Sequence, residues 1–415
     1  MSSDASQLAA LIIFAVTYLA IAWGRFPGLR VDRTGAALAG ATCMIGAGVL
    51  TLREAYAAID FDTITLLLGV MIVVATLRLS GLFGLISAAV ARHARSPILL
   101  LWCVVLVSGI LSAFLVNDTI CLALTPLVVE IVMALRRDPV PYLLGVAMAS
   151  NAGSVATITG NPQNMIVGSL AHIPYATFAG KLAPVAVASL VLTAVVIAIA
   201  FPAEFRGGTV LQAAVPARAP RASRALVVKA SLITAAMVAG FFWGFPPPAV
   251  AIIAGVLMLL TRRLKPERIY AELDWPLLLM FVGLFILIGG LEHSVLAPRA
   301  PAMAQALHLE HPAVLGLFTA ALSNIVSNVP AVLLLRPFLG ALSHPQQAWL
   351  LVAMASTLAG NLTIMGSVAN LIVARRAEAL GVTISFRTYL RVGVPLTLLT
   401  LILGIGWLAI SAGTW

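Results

Sequence analysis

VAMASNAGSVATITGNPQNMIV, residues Val146 to Val167, aligns without gaps on VAMASTLAGNLTIMGSVANLIV, residues Val352 to Val373, and the two agree at 11 of 22 positions. Thr157 falls on Thr363, Gly160 on Gly366 and Asn164 on Asn370. Apolar bias alone would give far fewer matches, so the chain carries a duplicated unit. Each copy opens as a run of small apolar residues and then breaks, at Thr157 to Asn164 in the first and at Thr363 to Asn370 in the second. Proline removes a backbone donor and clashes with the preceding turn, and glycine loosens a helix, so the break is predicted to be unwound with free carbonyls. Packing of small residues between helices would also explain the Gly and Ser content. It does not explain three amides, Asn161, Gln163 and Asn164, within four residues of an apolar run, because an unpaired polar group there is costly.

The repeat extends outward. Ser108–Val128 matches Thr319–Leu339 at six of 21 positions, with Asn117 on Asn328 and Pro126 on Pro337, and Asp60–Gly69 sets against Asp274–Gly283. The blocks follow the same order in both halves. The 415 residues are 61% hydrophobic and 10% charged, with a mean hydropathy of +1.06, against roughly 25% charged residues in a soluble domain. This apolar surface is too large for a soluble core and excludes soluble enzymes, disulfide scaffolds and disordered chains. The fold expected is an all-α polytopic membrane protein.

Candidate spans run at about 8–24, 34–52, 60–80, 98–135 (interrupted), 140–171 (interrupted), 181–201, 226–245, 248–261, 274–291, 312–341 (interrupted), 347–374 (interrupted) and 391–411. The first, Leu8–Gly24, lacks a preceding basic region and reads as a transmembrane helix and not a cleaved signal. If the segments at 98–135 and 312–341 each return to their starting side, all of the 25 Lys and Arg except Arg53, Lys181, Arg299 and Arg336 collect on one face. That face is the cytoplasm by the positive-inside rule, which also absorbs the net charge of +10. The map puts the protein in the cell inner membrane with both termini external. Asp60 then begins a helix running inward and Asp274 one running outward, so the repeats have inverted topology. Residues 1–201 form the first half (helices within 8–80, hairpin 98–135, broken helix 140–171, helix 181–201). Residues 202–229, rich in Pro, Ala and Arg, form a cytoplasmic linker, and 230–415 the second half, with hairpin 312–341 and broken helix 347–374. Inverted repeats with matched broken helices are the architecture of secondary transporters, whose sites lie near the midplane.

The first interruption of each half, Asn117-Asp118-Thr119 and Ser327-Asn328-Val329-Pro330, reads as the tip of a re-entrant hairpin or as a surface turn between two spans, and charge counting does not separate these. A tip at mid-depth would leave helix-terminal groups for a bound ion. Asp118 is the one acid the map places deep in the membrane, where a carboxylate costs about 2.5–3.5 kcal/mol and commonly serves transport, although protonation or tip amides could also hold it. The predicted substrate and ion site comprises Asn117, Asp118, Thr119, Thr157, Thr159, Gly160, Asn161, Asn164, Ser327, Asn328, Thr363, Gly366, Ser367 and Asn370. Arg336 either snorkels to the external interface or attracts anions. Cys43, Cys103 and Cys121 are expected as small core residues, and no metal spacing is read among the histidines, which fall in loops. No catalytic pair, HExxH or GxSxG appears, so an enzyme is not expected, and no P-loop appears, so ATP would need a separate subunit.

Phe114-Leu115-Val116-Asn117-Asp118-Thr119 with Thr125-Pro126, Ser150-Asn151-Ala152-Gly153-Ser154 leading into Gly160-Asn161-Pro162-Gln163-Asn164, and Ser327-Asn328-Val329-Pro330 resemble the ion transporter superfamily. The branch is that of the arsenite-efflux (ArsB-type), sodium/proton-antiporter (NhaD-type) and citrate permeases, and the resemblance spans roughly residues 60 to 411. It implies a transport domain moving against a scaffold, no bound cofactor beyond a coupling proton or sodium, and a sodium site at Asn117, Gly160 and Asn161. Relatives with Ser-Asn-Thr at both tips bind sodium and carboxylates. Here an acid replaces that pattern at one tip and a hydroxyl is missing at the other. An added negative charge disfavours a dianion in low dielectric and spares a neutral hydroxide or a cation. The implied function is a secondary transporter of a small anion or its neutral acid (arsenite-like, antimonite-like or an organic carboxylate), with a sodium/proton antiporter or a passive channel as alternatives. The expected partners are the lipid bilayer and that anion, not nucleic acid; a homodimer and a separate ATPase subunit stay open.

Overall fold

A computed structural model describes residues 3–23, 32–206, 222–261 and 263–411. Arg25, Arg30, Arg218, Arg221 and Arg262 of the charge map lie outside the described residues, as does most of the linker. Among the described residues the chain is helical with no strand, and eight helices are long and apolar enough to cross a membrane. The protein is a multi-pass membrane protein.

Helix boundaries follow the sequence punctuation. Asp60 caps the helix Phe61–Ser80 by accepting from the amides of Asp62 and Thr63, and Asp274 caps Trp275–Leu291 through Leu277. Several edges differ from the expected ones. The helix expected at 181–201 begins at Tyr175, because the polar start that looked like loop is helical up to and beyond Lys181. The last helix begins at Phe386, and Arg224–Phe242 takes in residues assigned to the linker. A helix over Leu82–His93, amphipathic and too short to span, was not expected; it packs on the arm Asn117–Ala134. Of the cysteines only Cys121 is buried, whereas Cys43 is exposed and Cys103 intermediate.

Each half contains a helical hairpin and a helix broken in two. The hairpins pair Pro97–Phe114 with Asn117–Ala134 and Pro312–Val326 with Asn328–Leu339. The broken helices are Pro139–Ser154 with Pro162–Leu170 and Pro345–Ala359 with Val368–Ala379. Asn117 is hydrogen-bonded to Asn151, which lies 13 residues beyond the N-cap Asp138, about 20 Å along the helix axis. The hydrocarbon core is about 30 Å thick, so the first hairpin's tip stops inside it. The second hairpin's arms of 15 and 12 residues, about 23 and 18 Å, are too short to cross it.

The inversion is visible where equivalent helices meet. Tyr175–Ala200 and Phe386–Ser411 follow the broken helices of their respective halves. Lys181 Nζ, near the start of the first, donates to the carbonyl of Ser411 at the end of the second (2.9 Å), and Trp407 Nε1 donates to the Lys181 carbonyl (2.9 Å). At the other end, the Arg391 guanidinium sits 5.9 Å from the centre of the Phe201 ring. The two helices therefore run antiparallel, as an inverted duplication requires.

The halves interlock. Gly69 packs against the backbone of Ala251, where a Cβ would overlap the carbonyl, and its equivalent Gly283 packs on Ala37, where a Cβ would lie 2.8 Å from the carbonyl carbon. Phe61–Ser80 thus seats on Pro247–Leu259 of the second half, and Trp275–Leu291 on Arg33–Gly46 of the first. Reciprocally, the arm Asn117–Ala134 packs on Val368–Ala379, and Asn328–Leu339 on Pro162–Leu170. Each hairpin is held by the other half's broken helix, which brings both tips to one place.

Candidate functional site

Seven residues, Val155 to Asn161, separate the two parts of the first broken helix, and the chain there makes a short 3-10 turn at Ile158–Gly160. The second break repeats the turn at Ile364–Gly366. Asn164 Nδ2 donates to the carbonyls of Ser154 and Thr157 (both 2.9 Å), and Asn370 Nδ2 donates to those of Gly360 (2.7 Å) and Thr363 (3.1 Å). These are the same two bonds in both halves. Unwinding frees carbonyls that hydrocarbon cannot satisfy, and one conserved-geometry amide per break takes up two of them. Gly160 and Gly366 close each turn against the end of the preceding helix, Gly160 on the Ser154 carbonyl and Gly366 2.8 Å, measured from an added Cβ, from the Gly360 oxygen.

The two breaks are joined by a second symmetric pair. Asn161 Nδ2 donates to Thr357 Oγ1 (3.2 Å), and the equivalent Ser367 Oγ donates to Asn151 Oδ1 (3.2 Å). Asn161 Oδ1 and Ser367 Oγ also accept from amides of the helices that follow, Asn164 N and Ala369 N. Both short helices are therefore capped. Gln163 Nε2 donates to Thr357 Oγ1 as well (3.1 Å).

Asn151 is the hub. Its oxygen accepts from Asn117 Nδ2 (2.9 Å) and Ser367, and its nitrogen donates to Asn361 Oδ1 (2.9 Å) and Asn370 Oδ1 (3.1 Å), so one buried amide ties a hairpin tip to both parts of the opposite break. Asn361 Nδ2 donates in turn to the Met148 carbonyl (3.2 Å). On the other side the amide of Asn328 lies 2.6 Å from Ser323 Oγ. Turned so that its nitrogen faces the Ser356 and Gly366 carbonyls, its oxygen accepts from Gln163 (3.3 Å). Sequence reasoning did not place Asn151, Thr357 or Asn361 in the site. The Ser150–Ser154 motif was the one signal pointing to Asn151.

Of the predicted residues, Asn117, Asn161, Asn164, Asn328, Ser367 and Asn370 join this buried network. Thr157 and Thr159 turn away from it: the Thr157 hydroxyl donates to the Ala113 carbonyl, and Thr159 pairs with Tyr175 OH (2.8 Å). The expected tip is corrected by two residues. The first hairpin turns at Leu115 and Val116, so Asn117, Asp118 and Thr119 form the first turn of the second arm. In the second hairpin only Ser327 lies outside the helices, with φ of 76°, left-handed backbone that a serine seldom adopts. Neither arm has a side-chain cap, which leaves first-turn amides facing the site.

Asp118 is partly buried and makes no hydrogen bond or ion pair among the described residues. Among the described residues no Lys or Arg belongs to the network. Arg336, given an anion-attracting or snorkelling role above, pairs with Glu292 (3.6 Å) in the π-turn Glu292–Leu296 beyond Trp275–Leu291. For the sodium candidates, Asn117 Oδ1 is a buried acceptor with no hydrogen-bond partner among the described residues, as is Asn164 Oδ1, whereas Asn161 Oδ1 is occupied by Asn164 N. Orphaned acceptors suit a small cation. The first break is the more buried of the two: Thr159 is fully buried, and Met365 at the equivalent place is 79% exposed.

Two interlocked inverted repeats with paired broken helices and uncapped hairpin arms at a buried polar centre define a membrane transporter. The chain belongs to the citrate transporter family, CitMHS, which it matches over residues 18–359. It is 30% identical to an uncharacterized transporter, Rv2684, of Mycobacterium tuberculosis, over 96% of each chain. The silicon efflux transporter LSI3 of Oryza sativa subsp. japonica is 27% identical over 95% of this chain and 96% of its own. The crystal structure of the YdaH transporter of Alcanivorax borkumensis has the same fold, with a TM-score of 0.59 at 16% identity, covering 100% of this chain and 98% of that one.

Proposed function

We propose that the chain is a secondary active transporter of a small hydroxylated acid of the arsenous, antimonous or silicic type, carried as the neutral acid or its monoanion and coupled to protons or sodium. The observation that carries this reading is the balance of charge around the hairpin arms: uncapped helix amides and side-chain amides supply donors, Asp118 in the first turn of one arm supplies a carboxylate without hydrogen bond or ion pair, and no Lys or Arg side chain joins the network, among the described residues. Hydroxyl groups bond to such a lining at little electrostatic cost. A multiply charged carboxylate would meet Asp118 in low dielectric without a guanidinium to offset it. The silicon efflux activity named for the rice relative is of the same chemical kind. A sodium/proton antiporter is the second reading, favoured by the orphaned buried oxygens of Asn164 and of Asn117, the residue that precedes Asp118. Proteoliposomes separate them: arsenous acid, silicic acid, citrate and sodium are offered in turn under pH and sodium gradients. Saturable flux of a hydroxylated acid that exceeds citrate flux supports the proposal. Gradient-driven sodium movement with no acid transported replaces it with the antiporter.

A further inference from the structure

The connection between the helix Ala300–Ala306 and the second hairpin's outer arm, which begins at Pro312, is a short loop with a fixed backbone. Leu309 is fully buried and its amide donates to the Ala304 carbonyl (3.0 Å), while the amide of His308 donates to Gln305 (3.0 Å). The His311 amide donates to the His308 carbonyl (3.1 Å), closing a four-residue turn, and His308 takes left-handed backbone at φ 52°. With Leu309 pointing inward, His308, Glu310 and His311 are left exposed around the turn. His308 Nδ1 lies 3.3 Å from Glu310 Oε1, the two imidazole centres are 6.3 Å apart, and one ligand atom from each of the three residues lies within 4.8 Å of the others.

The geometry points to a divalent transition-metal site of the zinc class at His308, Glu310 and His311, with water in the remaining position. Two imidazole nitrogens and a carboxylate oxygen form a ligand set that zinc accepts. Around a tetrahedral ion with bonds of about 2.1 Å the ligand atoms sit about 3.4 Å apart, so rotation of exposed side chains over about 1 Å completes the set while the backbone stays in place. The ion would fasten the turn that leads into the outer arm ending at Ser327, and so would restrain the hairpin from its base. Nothing in the transport reading depends on it.

The test is equilibrium dialysis of zinc against tag-free protein purified in detergent, with cobalt titration followed by visible absorption. Wild type is expected to bind one zinc per chain at micromolar concentration and to give the intense absorption of tetrahedral cobalt. Loss of an outer hydrogen-bond partner of a metal ligand commonly costs about 10–100-fold in affinity, so His308→Ala and His311→Ala, which remove ligands themselves, should each cost at least that. Glu310→Gln should weaken binding about tenfold, and His344→Ala, in another exposed turn, should leave it unchanged. Absence of binding by wild type below about 1 mM, or stoichiometric binding that survives both histidine variants, would overturn the site.

Discussion

Replacing Asn151 by leucine keeps the number and branching of the side-chain heavy atoms and removes every side-chain hydrogen bond of the hub. Four partners lose their contact: Asn117 Nδ2, Ser367 Oγ, Asn361 Oδ1 and Asn370 Oδ1. Side-chain hydrogen bonds between membrane helices average about 0.6 kcal/mol, with a maximum near 1.7, so four give roughly 2.4 kcal/mol as a sum of averages. The partners are buried, and stranding a polar group adds to that cost, so the expected loss is roughly 2–4 kcal/mol. Equilibrium unfolding in mixed micelles reads the loss directly. Thr234→Val, which removes one bond to the Ala230 carbonyl within a single helix far from the centre, serves as the control and should stay within about 0.5 kcal/mol of wild type. A loss from Asn151→Leu no larger than the control's would refute the claim that this amide fastens a hairpin tip to the opposite break.

Gly160→Ala should abolish folding or transport, since its Cβ has no space against the Ser154 carbonyl. Gly366→Ala, at 2.8 Å from the Gly360 oxygen in the more open break, should retain partial transport; equal tolerance of both by expression and flux would contradict the asymmetry. Asn164→Leu strands the Ser154 and Thr157 carbonyls and should lower unfolding stability by roughly 1–3 kcal/mol, which assigns it to holding the break. A change in apparent substrate affinity with stability intact would instead put Asn164 in contact with the substrate. Single cysteines at Lys265 and Arg299, both exposed, should react on opposite faces of intact cells, Arg299 from outside; labelling of both from one side would break the inverted map.

The duplicated blocks made the hairpins and breaks legible, because a proline, a glycine and a run of amides in an apolar stretch have few other physical explanations. Asn164 and Asn370 were singled out for their equivalence, and that equivalence holds atom for atom in the two staples they form. Their neighbours were harder. Asn151 sits inside a regular helix, and its partners Asn361 and Asn370 are 210 and 219 residues away, so no local pattern reports the contact. The same holds for Gly69 on Ala251 and Gly283 on Ala37, where each helix seats on the other half. The turn of the first hairpin was misplaced toward Asn117 because Leu115 and Val116 are apolar and carry no turn chemistry, and the chain turns there under tertiary packing alone. Arg336 was unpaired in the sequence reading because Glu292 lies beyond a span end, in a π-turn with no sequence signature.

On the proposed function, coupling is assigned to Asp118, whose carboxylate stands at an uncapped helix start with no hydrogen bond or ion pair among the described residues. Asp118→Asn keeps the size and hydrogen-bonding capacity of the side chain and removes its ability to exchange a proton or sodium. The decisive measurement is flux of the transported acid in proteoliposomes under an imposed pH or sodium gradient, wild type against Asp118→Asn. Wild type should accumulate substrate against its gradient, and the variant should only equilibrate it, with downhill exchange retained. Undiminished accumulation by the asparagine variant would contradict the assignment and leave coupling to the amide and carbonyl oxygens of the breaks.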